Sequence, residues 1–272
     1  MGQSDIHGES NRQVLEDGLE GVTGEPLLVN PTKETIRALV GMYREDDSLP
    51  TIQILADSDP LKDLTDDFII ASVIADLVRE EVFDLRTLSG VPRHSLLITD
   101  EFVLSLVQGS ETVTGLRTTE ESFVSSLAAE YASLWEDAEA FSLRTPPLSH
   151  IRETLETEIS AEAVEDFNRI LDSLDTARGD GDGLDEVTIA LLVAANNGEL
   201  LYDISRWGED IRLASKATFS RNKNLLEEAG LIDTEKVPID IGRPRLRLLL
   251  ANGSLRDAEI EEVAQQAQQN LA

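Results

Sequence analysis

The chain has 272 residues and a formal net charge of −30, because 53 Asp and Glu stand against 23 Lys and Arg. Its hydrophobic fraction of 41% is enough for folded cores. With no cysteine and three histidines, the composition excludes disulfides and thiolate metal sites, and we expect no cofactor. The longest apolar run, near residues 68–78, is interrupted by Asp76, and the first residues show no signal peptide. We expect a soluble cytoplasmic protein without membrane contact.

The acidic residues are spread along the chain rather than gathered in a tail. Five lysines accompany eighteen arginines, and such a dispersed acidic surface is typical of proteins that work in concentrated salt. One segment departs from this background. Residues 215–256 contain eight Lys and Arg and five Asp and Glu, whereas residues 1–184 contain 13 and 38. A basic segment in so acidic a chain indicates a surface that faces phosphate.

The N-terminal half alternates strand and helix patterns. Residues 1–20 are polar, and we expect a flexible N-terminus there. Residues 21–145 predict an α/β regulatory domain with a mixed sheet. The strand patterns are 25–30, 51–57, 82–89, 94–100, 101–108 and an edge strand at 112–117, and the helix patterns are 31–45, 64–80 and 118–141.

Two amphipathic helices have open roles in this interpretation, one before the C-terminal domain and one at its end. Residues 146–183 form a linker, in which apolar residues from Val164 to Leu174 recur at helical spacing after Ser160, a suitable N-cap. This helix is either a connector packed on a domain or a dimer helix. Residues 254–272 carry a second apolar stripe, which either packs on its own domain or forms a dimer contact.

Residues 184–272 indicate their fold more clearly than any other part of the sequence. Three helix patterns precede two strand patterns, which predicts the winged form of the helix-turn-helix, with the third helix in the major groove of DNA. Ser215 is placed as the N-cap of that helix, while Phe219 and Leu226 face the core. The segments are, in order, 185–198, 199–210, 213–232, 231–239 and 243–250, with the strands joined across Asp240–Gly242.

The third helix presents six polar side chains near its start. Arginine and asparagine suit the edges of guanine and adenine, whereas lysines suit phosphates. We expect all six to contact DNA: Lys216, Thr218, Ser220, Arg221, Asn222 and Lys223.

The second wing strand separates its charges from its apolar residues. Alternation places Arg243, Arg245 and Arg247 on one side and leucines on the other. We expect Arg243 and Arg245 to contact DNA. Arg247 either joins them or pairs with an acid of its own domain.

The segment ASKATFSRNKNLLEEAGLIDTEKVPIDIGRPRLRL (214–248) resembles the DNA-binding end of haloarchaeal transcriptional regulators of the TbsP type. The likeness extends through most of the chain. It implies a regulator of promoters, linked with TrmB-like control of central carbon metabolism. Winged-helix regulators usually act as dimers, so we expect a homodimer on double-stranded DNA.

The segment PRHSLLITDEFVLSLVQGSETV (92–113) resembles a phospholipase D motif, with His94, an acid at Asp100 or Glu101, and Gly109-Ser110. Leu96 occupies the place of the lysine that binds phosphoryl oxygens in that chemistry. The resemblance implies a degenerate scaffold, similar to TrmB-like effector domains and reused to sense a small anionic metabolite. The candidates for lining an anion pocket are Arg86, Arg93, His94 and Arg117. The alternative is that His94 is a packed structural residue and the arginines form salt bridges.

The sequence therefore predicts a sequence-specific DNA-binding transcription regulator rather than an enzyme. Two alternatives stay open at this point. One is a phosphodiesterase of the phospholipase D type that uses His94, and the other is an interaction protein that has lost DNA binding.

Overall fold

The computed structural model describes residues 6–8, 10–90, 94–110, 112–174, 176–177, 184–239 and 243–271. The chain divides into two compact units. The first contains residues 1–65 and 73–143, and the second contains residues 66–72 and 144–272. Within the described residues, no helix is both long enough and apolar enough to cross a membrane.

A mixed sheet of eight strands forms the centre of the first unit in the described part of the chain. The parallel pairs join β2 to β3 and β3 to β4, and the other neighbours are antiparallel. This confirms the predicted α/β domain with a mixed sheet. The strands are β1 (Ile6–Gly8), β2 (Leu27–Val29), β3 (Ile52–Ala56), β4 (Phe83–Thr87), β5 (Leu96–Ile98), β6 (Val103–Gln108), β7 (Val113–Thr118) and β8 (Glu139–Ala140). Their order across the sheet is β1-β7-β6-β5-β2-β3-β4-β8.

Helices cover both faces of this sheet. The helices along this part of the chain are α1 (Asn11–Leu19), α2 (Lys33–Glu45), α3 (Ser58–Thr65), α4 (Phe68–Arg79), whose first residues belong to the second unit, and α5 (Glu121–Asp137). The first helix packs on the face of Leu97 and Leu104, so closely that a Cβ added to Gly18 would lie 2.9 Å from Leu104 Cδ2. The fifth helix packs on the opposite face, where its Val124, Tyr131 and Trp135 join a core that includes Leu96 and Val103. Alternation along each strand therefore decides which helix a side chain meets.

Three expectations for this unit were wrong. Residues 11–19 are not flexible, because Ser10 caps α1 and Val14 and Leu15 are fully buried. The predicted helix 64–80 is two helices, since the buried Asp67 accepts a hydrogen bond from the backbone N–H of Ile69 and begins a new one. The strand at 112–117 is not at the edge, because β1 pairs outside it.

The second unit is built around one buried helix. Its elements are α6 (Leu148–Glu158), α7 (Ala161–Ser173), α8 (Glu186–Asn196), α9 (Leu201–Asp210), α10 (Lys216–Glu228), β9 (Ile232–Val237), β10 (Arg245–Leu250), α11 (Gly253–Arg256) and α12 (Ile260–Leu271). Every residue of α8 from Val187 to Ala195 is buried. The helices α7, α9, α10 and α12 and strand β10 pack against it. The predicted linker residues 178–183 and the wing turn Asp240–Gly242 lie outside the described residues.

Both amphipathic helices with open roles pack inside this unit. Phe167 and Ile170 of α7 are fully buried, as are Val263 and Ala267 of α12. Arg169 of α7 forms ion pairs with Glu261 of α12 and with Glu259, which lies just before that helix. Residues 148–173 are therefore part of the C-terminal domain rather than a separate linker, and these apolar stripes are covered by their own domain.

Candidate nucleic-acid interface

The third helix of the winged domain begins and ends where its sequence indicates. The Ser215 hydroxyl accepts a hydrogen bond from the backbone N–H of Thr218 at 3.2 Å, which satisfies a donor of the first turn. Gly230 follows the helix with φ 68°, a conformation that favours glycine. Phe219 and Leu226 are buried. The predicted cap and core face are confirmed.

Helix α9, which precedes α10, packs very closely against it. A Cβ added to Gly208 of α9 would lie 2.4 Å from Phe219 Cε2, so this close crossing needs glycine. On α9, the indole N–H of Trp207 donates to Thr154 Oγ1 of α6 at 3.0 Å. These contacts fix the orientation of α10, and with it the side chains that face outward.

The outward face of α10 carries Ala217, Ser220, Arg221 and Asn224, all of which are exposed. Ala217, Arg221 and Asn224 follow at intervals of four and three residues, the spacing of one helix face. Ala217 and Asn224 were missing from the sequence-based candidates. The signal was available, because they stand opposite Phe219 and Leu226 in the helical repeat.

Three of the side chains predicted to contact DNA form hydrogen bonds or an ion pair within the domain. Asn222 donates from Nδ2 to Asp185 Oδ2 at 2.9 Å, and Asp185 is the N-cap of α8. Lys223 is 8% exposed and pairs with Glu227 at 2.6 Å. The Thr218 hydroxyl lies 2.9 Å from that of Ser215 in the helix cap. These contacts remove Asn222 and Lys223 from the outward face.

The wing is an antiparallel pair in which Arg245 lies opposite Val237 and Arg247 opposite Glu235. Leu248 and Leu250 are buried, whereas Arg243 and Arg247 are exposed. The strand begins at Arg245 rather than at 243. The backbone N–H of Leu248 also donates to Glu199 O at 2.9 Å, which ties the wing to the residues before α9. The strand thus packs Leu248 and Leu250 on the helices and exposes Arg247, and Arg243 is exposed just before the strand.

Carboxylates of α9 lie beside two of the candidate cations. Lys216 Nζ is 2.6 Å from Glu209 Oε2, and this hydrogen bond raises the pKa of Lys216. Arg245 is 3.4 Å from Asp203 Oδ1, and its guanidinium carbon lies 4.0 Å from the ring centroid of Tyr202. Both cations are partly exposed, so a phosphate has access to them.

The cations predicted to form an anion pocket do not converge. Arg86 lies on β4, where it donates to the Trp135 carbonyl at 3.1 Å and stacks on the Trp135 ring. Arg117 lies on β7, five strands away, which is about 24 Å at ordinary strand spacing. Arg93 lies outside the described residues.

Arg117 and His94 border the same cavity, but their side chains leave the sheet on opposite faces. Arg117 pairs with Leu104 in the strand register, so its side chain is on the α1 face, where it stacks on Phe102 at 3.8 Å. His94 is two residues from Leu96, whose side chain is on the α5 face. Among the described candidates, His94 and Arg117 thus border one cavity with their side chains on opposite faces of the sheet, and Arg86 lies five strands from Arg117.

The residues of the phospholipase D-like motif are likewise dispersed. Asp100 and Glu101 follow the carboxyl end of β5, whereas His94 precedes its amino end. Asp100 follows His94 by six positions, a span of at most about 20 Å of extended chain, and strand β5 lies between them. Leu96, in the place of the motif's lysine, is buried in the sheet core. The described residues do not bring a histidine, a cation and an acid together here.

A capped helix with an exposed polar face, a close helix before it and a basic two-stranded wing define a winged helix-turn-helix domain. Joined to an α/β unit, it places the chain among DNA-binding transcription regulators. Two family models account for nearly the whole sequence: transcriptional regulator TbsP-like, N-terminal, over residues 3–146, and transcriptional regulator TbsP-like, C-terminal HTH domain, over residues 147–268. The chain belongs to the TbsP-like transcriptional regulators.

Several solved structures are similar to parts of the chain. TrmBL2, an archaeal chromatin protein, is 20% identical with a TM-score of 0.37, over 51% of this chain and 54% of that chain. Nuc of Salmonella typhimurium, a phospholipase D family member, is 13% identical with a TM-score of 0.36, over 52% of this chain and 99% of that chain. NucT of Helicobacter pylori is 13% identical with a TM-score of 0.37, over 52% of this chain and 99% of that chain. This chain thus spans about half the length of the archaeal protein. A comparison with curated protein sequences gave no significant match.

Proposed function

We propose that the chain binds specific promoter sequences through α10 and the wing. The observation that carries this is the outward face of α10, exposed and polar beside the wing arginines, in a chain of net charge −30. Arg221 and Asn224 are proposed to read base edges in the major groove, with Ser220 beside them and Ala217 permitting close approach. Lys216, Arg243 and Arg245 are proposed to hold phosphates.

The salt concentration in which the protein works affects how much base contacts and phosphate contacts each contribute to the affinity for DNA. The acidic composition supports a protein of a halophilic organism, in whose concentrated salt phosphate contacts contribute less to affinity. Base contacts and the avidity of a dimer then carry more of the binding. We propose a homodimer on an approximately palindromic site, as in other winged-helix regulators.

The target genes and the role of the α/β unit are the finer part of the proposal. We propose that the target genes belong to central carbon metabolism and that the α/β unit makes DNA binding responsive to a metabolite. Membership of the TbsP-like regulators and the attachment of an α/β unit to the winged domain support this proposal.

Selection of duplexes from a random pool, at high KCl, would identify the preferred site, and anisotropy would then give the dissociation constants. We expect Arg221→Ala to weaken the selected site roughly tenfold or more and to relax one base position. The exposed Arg44 of the first unit offers a control with the same change of charge, and Arg44→Ala should bind as the wild type does. Sequence-blind binding by the wild type would refute the proposal.

A further inference from the structure

A cavity of ≈ 440 Å³ opens on the α5 face of the first unit's sheet, above β5, β6 and β7. Its volume lies in the range of small-molecule sites, which are mostly apolar with a few convergent polar groups. The apolar lining consists of Leu96, Val103, Leu116, Phe123, Leu127 and Tyr131.

Polar side chains lie among these apolar ones. Ser105 is at the centre of the floor, because it pairs with Leu96 on one side and with Leu116 on the other. His94 and Thr118 also line the cavity. Two hydroxyls and an imidazole can each donate or accept a hydrogen bond, so they can orient one polar group of a bound molecule.

The charge around the cavity disfavours an anion. Residues 1–65 and 73–143 contain 9 Lys and Arg against 26 Asp and Glu, a net charge of −17. Arg117 borders the cavity between Leu116 and Thr118, but its guanidinium stacks on Phe102 on the opposite face. Among the described residues, a sugar phosphate would therefore enter a field of its own sign and meet no guanidinium or ammonium group directed into the cavity.

The walls leave apolar surface that a ligand would cover. Leu116 and Phe123 are each 49% exposed. Burial of such surface is favourable in proportion to its area. Aromatic and aliphatic walls with a serine at the centre suit a compact, ring-containing molecule.

We propose that this cavity binds a small, uncharged and predominantly apolar molecule, whose one polar group meets Ser105, Thr118 and His94. The inference deepens the proposed regulatory role of the α/β unit and rests on it for its biological meaning. The binding itself is independent of DNA.

The neutral fluorophore N-phenyl-1-naphthylamine, titrated into the full chain at high KCl, tests this site. We expect saturable binding, with Leu116→Gln weakening the dissociation constant about tenfold. Val107 offers a matched control, because it is 46% exposed on the same sheet face but outside the cavity lining. Val107→Gln should bind the fluorophore as the wild type does. Indole should displace the fluorophore, and glucose 6-phosphate should not.

Lack of saturable binding, equal losses in Leu116→Gln and Val107→Gln, or displacement by glucose 6-phosphate but not by indole would each overturn the inference. Affinity for the selected DNA, measured on the same preparation without fluorophore, tests the proposed function separately. Loss of DNA binding with intact fluorophore binding would contradict the proposed function alone.

Discussion

Asn222 and Asn224 stand two residues apart on α10 and face different surroundings. The amide of Asn222 donates to both carboxylate oxygens of Asp185, at 3.3 Å and 2.9 Å, and so joins α10 to the cap of α8. Asn224 is exposed on the outward face. The same residue type thus serves the fold at one position and is available to DNA at the other.

Substitution of each asparagine by alanine should separate these roles. Asn224→Ala should weaken binding to the selected site by about 1 to 3 kcal/mol and leave stability nearly unchanged. Asn222→Ala should lower the free energy of unfolding by about 1.5 to 3 kcal/mol, because a hydrogen bond to a charged group is lost. Its affinity for DNA should be retained while the protein is folded. Chemical denaturation and anisotropy measure the two effects, and the reverse assignment would show that the outward face is misplaced.

The α9 carboxylates should compete with DNA for two cations. Asp203 lies beside Arg245 and Glu209 beside Lys216, so a phosphate must displace a carboxylate and remain near it. Asp203→Asn and Glu209→Gln should each tighten DNA binding by about twofold to fivefold, the range of exposed ion pairs. The double variant should also show a steeper loss of affinity with salt, because wild-type ion pairs are themselves weakened by salt.

The control for this prediction is Glu16→Gln, which removes a similar exposed ion pair, that of Arg12, in the first unit. It should leave DNA affinity and its salt dependence unchanged. Unaltered affinity in both α9 variants would mean that Arg245 and Lys216 do not contact phosphate.

Local patterns predicted much of the winged domain. The cap at Ser215, the buried pair Phe219 and Leu226 and the alternation of the wing strand depend on residues close in sequence, where period and capping chemistry are decisive. The same helical period would have placed Lys223 near the core side and Asn224 outside. The prediction that all six early polar residues contact DNA did not separate the core side of the helix from its outward face.

Long-range pairing accounts for what the sequence did not predict. The face on which Arg117 lies depends on its register with Leu104, and a shift of one residue would reverse it. The hydrogen bond from Asn222 to Asp185 joins positions 37 residues apart. Strand β1 has only three residues, so alternation offers almost no signal for it.

Gly208 should tolerate no side chain. An added Cβ would lie 2.4 Å from the Phe219 ring, which is itself fully buried. We expect Gly208→Ala to lower the free energy of unfolding by about 1 to 3 kcal/mol through overpacking. Gly41 of α2 offers a helical control whose nearest neighbour would be 4.0 Å away, and Gly41→Ala should stabilise by up to about 1 kcal/mol. Thermal unfolding that ranks Gly208→Ala as stable as the wild type would contradict the close packing of α9 and α10.

Glu186, the first residue of α8, should make stability depend on pH. Burial raises the pKa of its carboxyl, a backbone hydrogen bond opposes this in part, and Asp185 raises it further. Since the folded pKa exceeds the unfolded one, this group's contribution is fully present below the unfolded pKa and is lost as pH rises through the folded pKa. Glu186→Gln should therefore be more stable than the wild type at neutral pH, and the advantage should shrink on acidification. Urea denaturation at several pH values measures the difference.

Glu121→Gln, in the exposed first turn of α5, should instead be slightly destabilising at neutral pH, because a carboxylate favours a helix N-terminus. A Glu186→Gln protein less stable than the wild type at neutral pH would show that the helix terminus outweighs burial at this position.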